Sequence, residues 1–225
     1  MDWKEALKTV HLFGSPEHTL AWEYLCRFAY PWQALDGLKD WICELGKTLP
    51  ETEYLRTAEN VWIARTASVA RSALICGPTV IGPGAEIRHG AFIRGSALVG
   101  EGAVVGNSVE LKNCILFDGV QVPHFNYVGD SVLGYRAHMG AGAVTSNVKS
   151  DKTPVCVRYE SERIETGRKK LGAMLGDFAE VGCNSVLNPG TVIGAHSNVY
   201  PLSSVRGYVP ANCIYKSGDR IVVKR

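Results

Sequence analysis

The chain has 225 residues, 46% hydrophobic and 20% charged, which excludes a disordered chain and allows one or two domains with a real core. Its 24 basic and 22 acidic residues leave a net charge of +2, against a dedicated nucleic-acid binder, which concentrates a basic surplus. No apolar run has the length of a membrane span, Met1-Asp2-Trp3-Lys4-Glu5 lacks a signal peptide's apolar core, and seven cysteines without a Cys-x-x-Cys pair predict no disulfide framework or zinc knuckle and a reduced, cytoplasmic protein.

Residues 1–55 read as a helical N-terminal segment and 56–225 as the main domain. Ser15-Pro16 is a cap and first-turn pair, after which Trp22, Leu25, Cys26 and Phe28 form one helical face. Pro31 opens a second helix, with Trp32, Leu35, Leu38, Trp41, Ile42 and Leu45 at helical spacing and Gly46 as its stop. The tryptophans at 22, 32 and 41 are expected to pack on the core or cap it, with a partner surface as the alternative.

From Ile63 a period of six takes over. Ile63, Val69, Ile75, Ile81, Ile87, Ile93, Val99, Val105, Leu111 and Phe117 are all apolar, and nine of the ten are Ile, Val or Leu, types that make up roughly a quarter of the chain. Four residues after the aliphatics come small partners such as Ala67, Ala73, Ala85, Ala91, Ala97 and Ala103. Neither a helix nor a hairpin sheet has this period. A three-sided prism does: each hexad supplies a short strand and a corner, three hexads make one coil, and stacked coils pair edge to edge about 4.8 Å apart. The pattern resembles the hexapeptide repeat of left-handed parallel β-helices. The handedness rests on that resemblance, since ordinary crossovers are right-handed.

Between Phe117 and Met139 the period breaks, with two gaps of five through Val122, Val128 and Leu133. A break in a regular prism is where a site is expected, and His124 falls there. A second break spans about 148–174. Val155, Val157 and Tyr159 alternate, Ser161-Glu162 turns, and Arg163-Ile164-Glu165 follows, which predicts a β-hairpin arm leaving the prism. The run Arg168-Lys169-Lys170 is either solvated or a contact to an anionic ligand or a neighbouring subunit. The repeat resumes at Leu175, Val181, Leu187, Ile193, Val199 and Val205. Ile214-Tyr215 and Ile221-Val222-Val223 are strand-like, capping the last coil or pairing with a neighbour.

His124 can take a proton near neutral pH, and Tyr127, three residues on, can fix a substrate oxygen. Arg94 and Lys112 are 18 residues apart, one coil, so they are expected to stack as a phosphate-sized positive patch. Spacing alone equally allows exposed cations beside a satisfied histidine.

The stretches Pro123–Ser131, "PHFNYVGDS", Gly140–Asn147, "GAGAVTSN", and Gly167–Asp177, "GRKKLGAMLGD", resemble the acetyltransferase domain of bifunctional sugar-1-phosphate nucleotidyltransferase/acetyltransferases, the N-acetylglucosamine-1-phosphate uridylyltransferase type, over roughly residues 60–210. "YPWQAL" at 30–35 resembles the helical segment preceding the β-helix there. The resemblance implies an acetyl-CoA-dependent N-acetyltransferase acting on an amino-sugar 1-phosphate, with His124 as catalytic base. It implies Arg94 and Lys112 as holders of the sugar phosphate, Tyr127 and His138 as sugar-site residues, and Asn147 between sugar and coenzyme. Lys152 matches a substrate-site lysine offset by one residue, and Ala141, Cys183 and Pro201 match coenzyme contacts. It further implies a homotrimer with sites between prisms and no required metal. His138 stands where bacterial members carry asparagine. No glycine-rich nucleotide loop precedes residue 60, so uridylyl transfer is not expected of this chain, and a separate nucleotidyltransferase partner is left open. Two alternatives share the fold: a γ-carbonic-anhydrase-like zinc enzyme, whose histidine triad the spacing of residues 11, 18, 89, 124, 138 and 196 does not supply, and a non-catalytic hexapeptide scaffold or regulatory subunit.

Overall fold

A computed structural model describes residues 2–216, 218 and 220–224. Each hexad contributes one short strand, and parallel pairing joins strands of successive coils. On the first face Ile63, Ile81 and Val99 lie side by side, followed by Leu116, Leu133, Leu175, Ile193 and Val209. On the second, Val69, Ile87, Val105 and Val122 align, then Met139, Val181, Val199 and Tyr215 on successive coils. On the third, Ile75, Ile93, Leu111 and Val128 are followed by Thr145, Leu187 and Val205. The inward aliphatics from Ile81 to Leu111 are at most 1% exposed, as are Ala85, Ala91, Ala97 and Ala103 beside them. The molecule is a left-handed parallel β-helix with a helical N-terminal segment.

Corners between the second and third faces share one geometry. Three residues past each aliphatic, Gly90, Ser108, Phe125, Gly142, Asn184 and Leu202 all have φ between 53° and 72°. The two bulky ones are outward and exposed, Phe125 at 60% and Leu202 at 80%, although such side chains rarely take this conformation.

The irregularity sits elsewhere than the six-step count placed it. Leu116, not Phe117, pairs with Val99 and Leu133, so the short steps run from Leu111 to Leu116 and from Val128 to Leu133. In both, one strand passes straight through the corner between the third and first faces, Glu110–Leu116 and Tyr127–Leu133. Asn113 and Asp130 take left-handed φ of 50° there, which their short polar side chains tolerate. Phe117 is apolar and fully buried for a different reason: its ring packs on Phe13 of the N-terminal segment, centroids 4.9 Å apart. His124 therefore stands on a regular corner.

The N-terminal segment is more broken than its spacing predicts. Pro16–His18 and Pro31–Leu35 are 3-10 turns, and Trp22–Leu25 is one helical turn. The longest helix, Leu38–Thr48, runs through Gly46. Gly46 is a close-approach residue and not a stop, because a Cβ there would lie 2.3 Å from the Trp62 ring. Trp32 is buried, while Trp22 and Trp41 pack partly buried against the core.

The insertion also differs from its expectation. Cys156–Tyr159 and Glu162–Glu165 do pair as an antiparallel hairpin, but it folds back onto the prism. Val155 and Val157 are fully buried, and Tyr159 packs on Trp3 and Tyr208. Lys4 binds Glu162 at 2.5 Å, and Arg168, expected in a solvated or ligand-binding run, pairs with Asp36. A bridge between Val148 and Lys170 closes the insertion at its base. The tail strand Ile221–Val223 pairs antiparallel with Cys213–Tyr215 and edges the second face.

Candidate functional site

Strand alternation decides what the third face shows. With Leu111 and Val128 inward, Glu110, Lys112, Tyr127 and Gly129 point outward. Arg94 and Lys112 occupy adjacent coils, the Arg94 N–H donating to the Leu111 carbonyl at 2.9 Å. Each cation already has a carboxylate: Arg94 Nη1 lies 2.7 Å from Glu110 Oε1, and Lys112 Nζ lies 3.3 Å from Asp130 Oδ2.

Asp130, 2% exposed, organises this patch. It accepts hydrogen bonds from Asn113 Nδ2 at 2.8 Å and Asn147 Nδ2 at 2.6 Å. Asn147 also donates to the Tyr127 hydroxyl at 3.1 Å. Gly129 makes room for that phenol, since a Cβ there would sit 2.4 Å from the Tyr127 hydroxyl. Burial, and then the negative charge of Asp130 and Glu110, push the Tyr127 phenol above its ordinary value. Tyr127 is therefore a neutral donor at physiological pH.

A second row runs along the corner between the second and third faces. His124, Ala141, Cys183 and Pro201 occupy successive coils, linked by N–H to carbonyl bonds from Gly142 to His124, Asn184 to Ala141 and Leu202 to Cys183. Buried Asn126 fixes the His124 corner: its Nδ2 donates to the Gly140 and Ala143 carbonyls at 2.8 and 2.9 Å, and its Oδ1 accepts the His124 N–H at 3.1 Å. The His124 side chain is exposed and has no hydrogen-bond partner among the described residues, and neither does the Ala141 N–H. From His124 to Gly129, beside Lys112, the chain crosses the whole third face, a run of about 16 Å at strand rise. Along the chain, Tyr127 stands between the His124 corner and the stacked cations.

His138 is on the second face, its Nδ1 2.9 Å from Glu180 Oε2. With Glu180, Cys183, Tyr200 and Pro201 it lines a hollow of about 300 Å³. A larger groove of about 920 Å³ continues past His138 to His18, Asp118, Tyr135 and Phe178. Lys152 is an exposed turn residue with φ of 57° and joins neither group. Among the described residues, no three metal-binding side chains cluster. Sequence reasoning missed Glu110, Asn113 and Asp130. The two five-residue steps were the available signal, had they been centred on the Asn and Asp that tolerate a left-handed turn.

Residues 75–161 match a family model described as the GMPPB C-terminal domain. Over 94 residues, 42% of this chain, the sequence is 40% identical to a bifunctional sugar-1-phosphate nucleotidylyltransferase/acetyltransferase of Sulfurisphaera tokodaii. Over 119 residues, 52% of this chain, it is 31% identical to a bifunctional protein GlmU of Methanococcus maripaludis. These matches span 23% and 29% of those relatives' lengths, so the chain corresponds to less than a third of each. Among solved structures, a mutant of perosamine N-acetyltransferase from Caulobacter crescentus in complex with CoA and GDP-perosamine aligns with 72% of this chain and 56% of its own, at 17% identity and a TM-score of 0.35. Part of the stacked coils, residues 75–161, is thus similar to the GMPPB C-terminal domain, and the relatives that this chain resembles include bifunctional sugar-1-phosphate nucleotidylyltransferase/acetyltransferases.

Proposed function

We propose that this chain transfers the acetyl group of acetyl-CoA to the amine of an amino-sugar 1-phosphate. The observation that carries the reading is the corner row of His124, Ala141, Cys183 and Pro201, which sets an unengaged imidazole and an unengaged backbone N–H on adjacent coils. The coenzyme runs along this corner past Cys183 and Pro201. The sugar lies on the third face at Tyr127 and Asn147, its phosphate drawing Arg94 and Lys112 partly away from Glu110 and Asp130.

An ammonium has no lone pair for attack. His124 takes its proton, and the amine nitrogen bonds to the thioester carbonyl carbon. The Ala141 N–H donates to the oxyanion that forms. Collapse of the adduct breaks the carbon–sulfur bond; the departing thiolate takes the proton from the imidazolium, and the adduct nitrogen gives its second proton to solvent, leaving neutral amide, free thiol and one released proton.

The proposed residues divide between two prism faces, with His138 and its hollow on the second and the cations on the third. In a homotrimer, the second face of one copy closes over the third face of the next and brings the two sets together. The exposed Phe125 and Leu202 on the corner are apt contacts for such packing.

Thiol release from acetyl-CoA, followed with glucosamine-1-phosphate, galactosamine-1-phosphate and simple amines, tests the reading. His124→Ala is expected to lower turnover by about 10²–10⁴-fold with assembly unchanged. Release with none of these amines sinks the proposal and favours a non-catalytic scaffold.

A further inference from the structure

A separate hollow, of about 60 Å³, lies where the folded-back arm meets the last coils, lined by Lys149, Cys156, Arg158, Pro189, Arg206 and Gly207. Its three cations come from three segments: the loop leaving the prism, the first hairpin strand and the corner after Val205. Arg206 shares the outward column of Arg94 and Lys112 but lies four coils beyond Lys112, about 19 Å away at the spacing of paired strands. The hollow is therefore not part of the proposed sugar-phosphate patch.

Two of the cations are steadied by neutral groups. Arg206 Nη2 donates to Asn188 Oδ1 at 3.1 Å, and Arg158 Nε donates to Cys156 Sγ at 3.3 Å. Lys149 has an acidic partner, Asp151, at 3.3 Å with its side chain 57% exposed. The arm is seated tightly here, because a Cβ on Gly207 would lie 2.4 Å from the Arg158 carbonyl. Three positive charges thus line one cavity; the solvated Asp151 pairs with Lys149, and Glu165 acts on Arg158 from the facing hairpin strand. Like charges repel, and a guanidinium pair matches the oxygens of a tetrahedral oxyanion. The volume accommodates one such group and not a sugar ring or a base.

We propose that this hollow binds a phosphoryl dianion, either free phosphate or a terminal phosphate of a larger ligand such as coenzyme A. The site stands whether or not the acetyl-transfer reading does.

Titration calorimetry of the full chain with inorganic phosphate, at low and high salt, is the test. Wild type binds phosphate, and more weakly as salt rises. Arg158→Gln and Arg206→Gln each weaken binding roughly tenfold, the loss of one charge-assisted hydrogen-bonding group. Lys149→Gln, in an exposed loop, carries the same test if either arginine variant fails to fold. Parallel titrations with coenzyme A and its 3′-dephospho form separate the sources. A loss in these variants that coenzyme A shares with phosphate, and its 3′-dephospho form does not, assigns the hollow to the 3′-phosphate; a loss for phosphate alone assigns it to the free ion. Absence of phosphate binding in wild type, or equal affinity in wild type and the folded variants, overturns the proposal.

Discussion

Asp130 carries more of the third face's order than any residue with a proposed chemical role. Its buried carboxylate holds Asn113 and Asn147 by hydrogen bonds and Lys112 by charge. Asp130→Asn keeps the shape but removes the negative charge and sets an amide NH₂ against one of the two donors. The expected cost is about 1–3 kcal/mol of stability, read by urea unfolding, together with a raised KM for the amino-sugar phosphate as Asn147 and Tyr127 lose their setting. Unchanged stability and unchanged KM would show that Lys112 and Asn147 hold themselves in place. Asp130 lay in plain view within "NYVGDS", yet hexad counting passed over it. Phe117 satisfied the six-residue step by being apolar, although its burial comes from Phe13. An apolar letter in phase does not say which neighbour covers it, and that ambiguity moved the expected distortion from Asp130 to His124.

At the scale of elements, the hairpin was legible and its resting place was not. Alternation of Val155, Val157 and Tyr159 is a local property of strands. The surface they cover is set by Trp3, Asp36 and Tyr208, segments with no periodic relation to the arm. Val157→Asp should show the difference. It puts an unpaired charge at a fully buried position, which the fold avoids by releasing the arm. Faster tryptic cleavage at Arg163, with the β-rich circular dichroism of the coils retained, is the expected outcome; cleavage at the wild-type rate would mean that the arm is held from its base. The N-terminal segment offers a second check. Burial pushes the Tyr24 phenol up to about 12, and its hydroxyl donates to the Ala34 carbonyl at 2.5 Å. The folded chain holds this proton more tightly than the unfolded chain. Its contribution is complete below the ordinary phenol value of 10 and is lost as pH rises through the interval up to about 12. Tryptophan fluorescence should report loosening of the segment in that interval, and Tyr24→Phe should flatten the dependence. An equally steep profile in the variant would place its origin in another group.

Across the whole molecule, periodicity made the three-sided column readable, because most hexads repeat one rule: an aliphatic inward and a small residue four places on. What the rule does not encode is the function of the faces once formed. Within one chain the sugar-side residues and His138 look outward from different sides, so the proposed reaction needs association. Sedimentation equilibrium should return three times the 24.4 kDa chain mass, and a monomer at assay concentrations would remove the shared cleft. Asp118, at the corner covered by the N-terminal segment, adds a pH dependence. Burial raises its carboxyl above the ordinary value of 3.8, so the folded state binds its proton more readily than the unfolded chain. Stability from this group is present in acid and declines as pH climbs through that raised value. Asp118→Asn should remove that decline from acid-range melting curves.

The pinch between Val148 and Lys170 has a consequence for how such a column can acquire or shed sequence. Leu133 meets Leu175, and Thr145 meets Leu187, as though the intervening turn of chain had never interrupted the winding. Joining the two sides of that pinch leaves the ladder above and below it in register, and lengthening the excursion adds only slowly growing loop entropy. Corners of this kind let a solenoid gain or discard accessory pieces while its axis stays unbroken, and here that freedom lies next to the face proposed for chemistry.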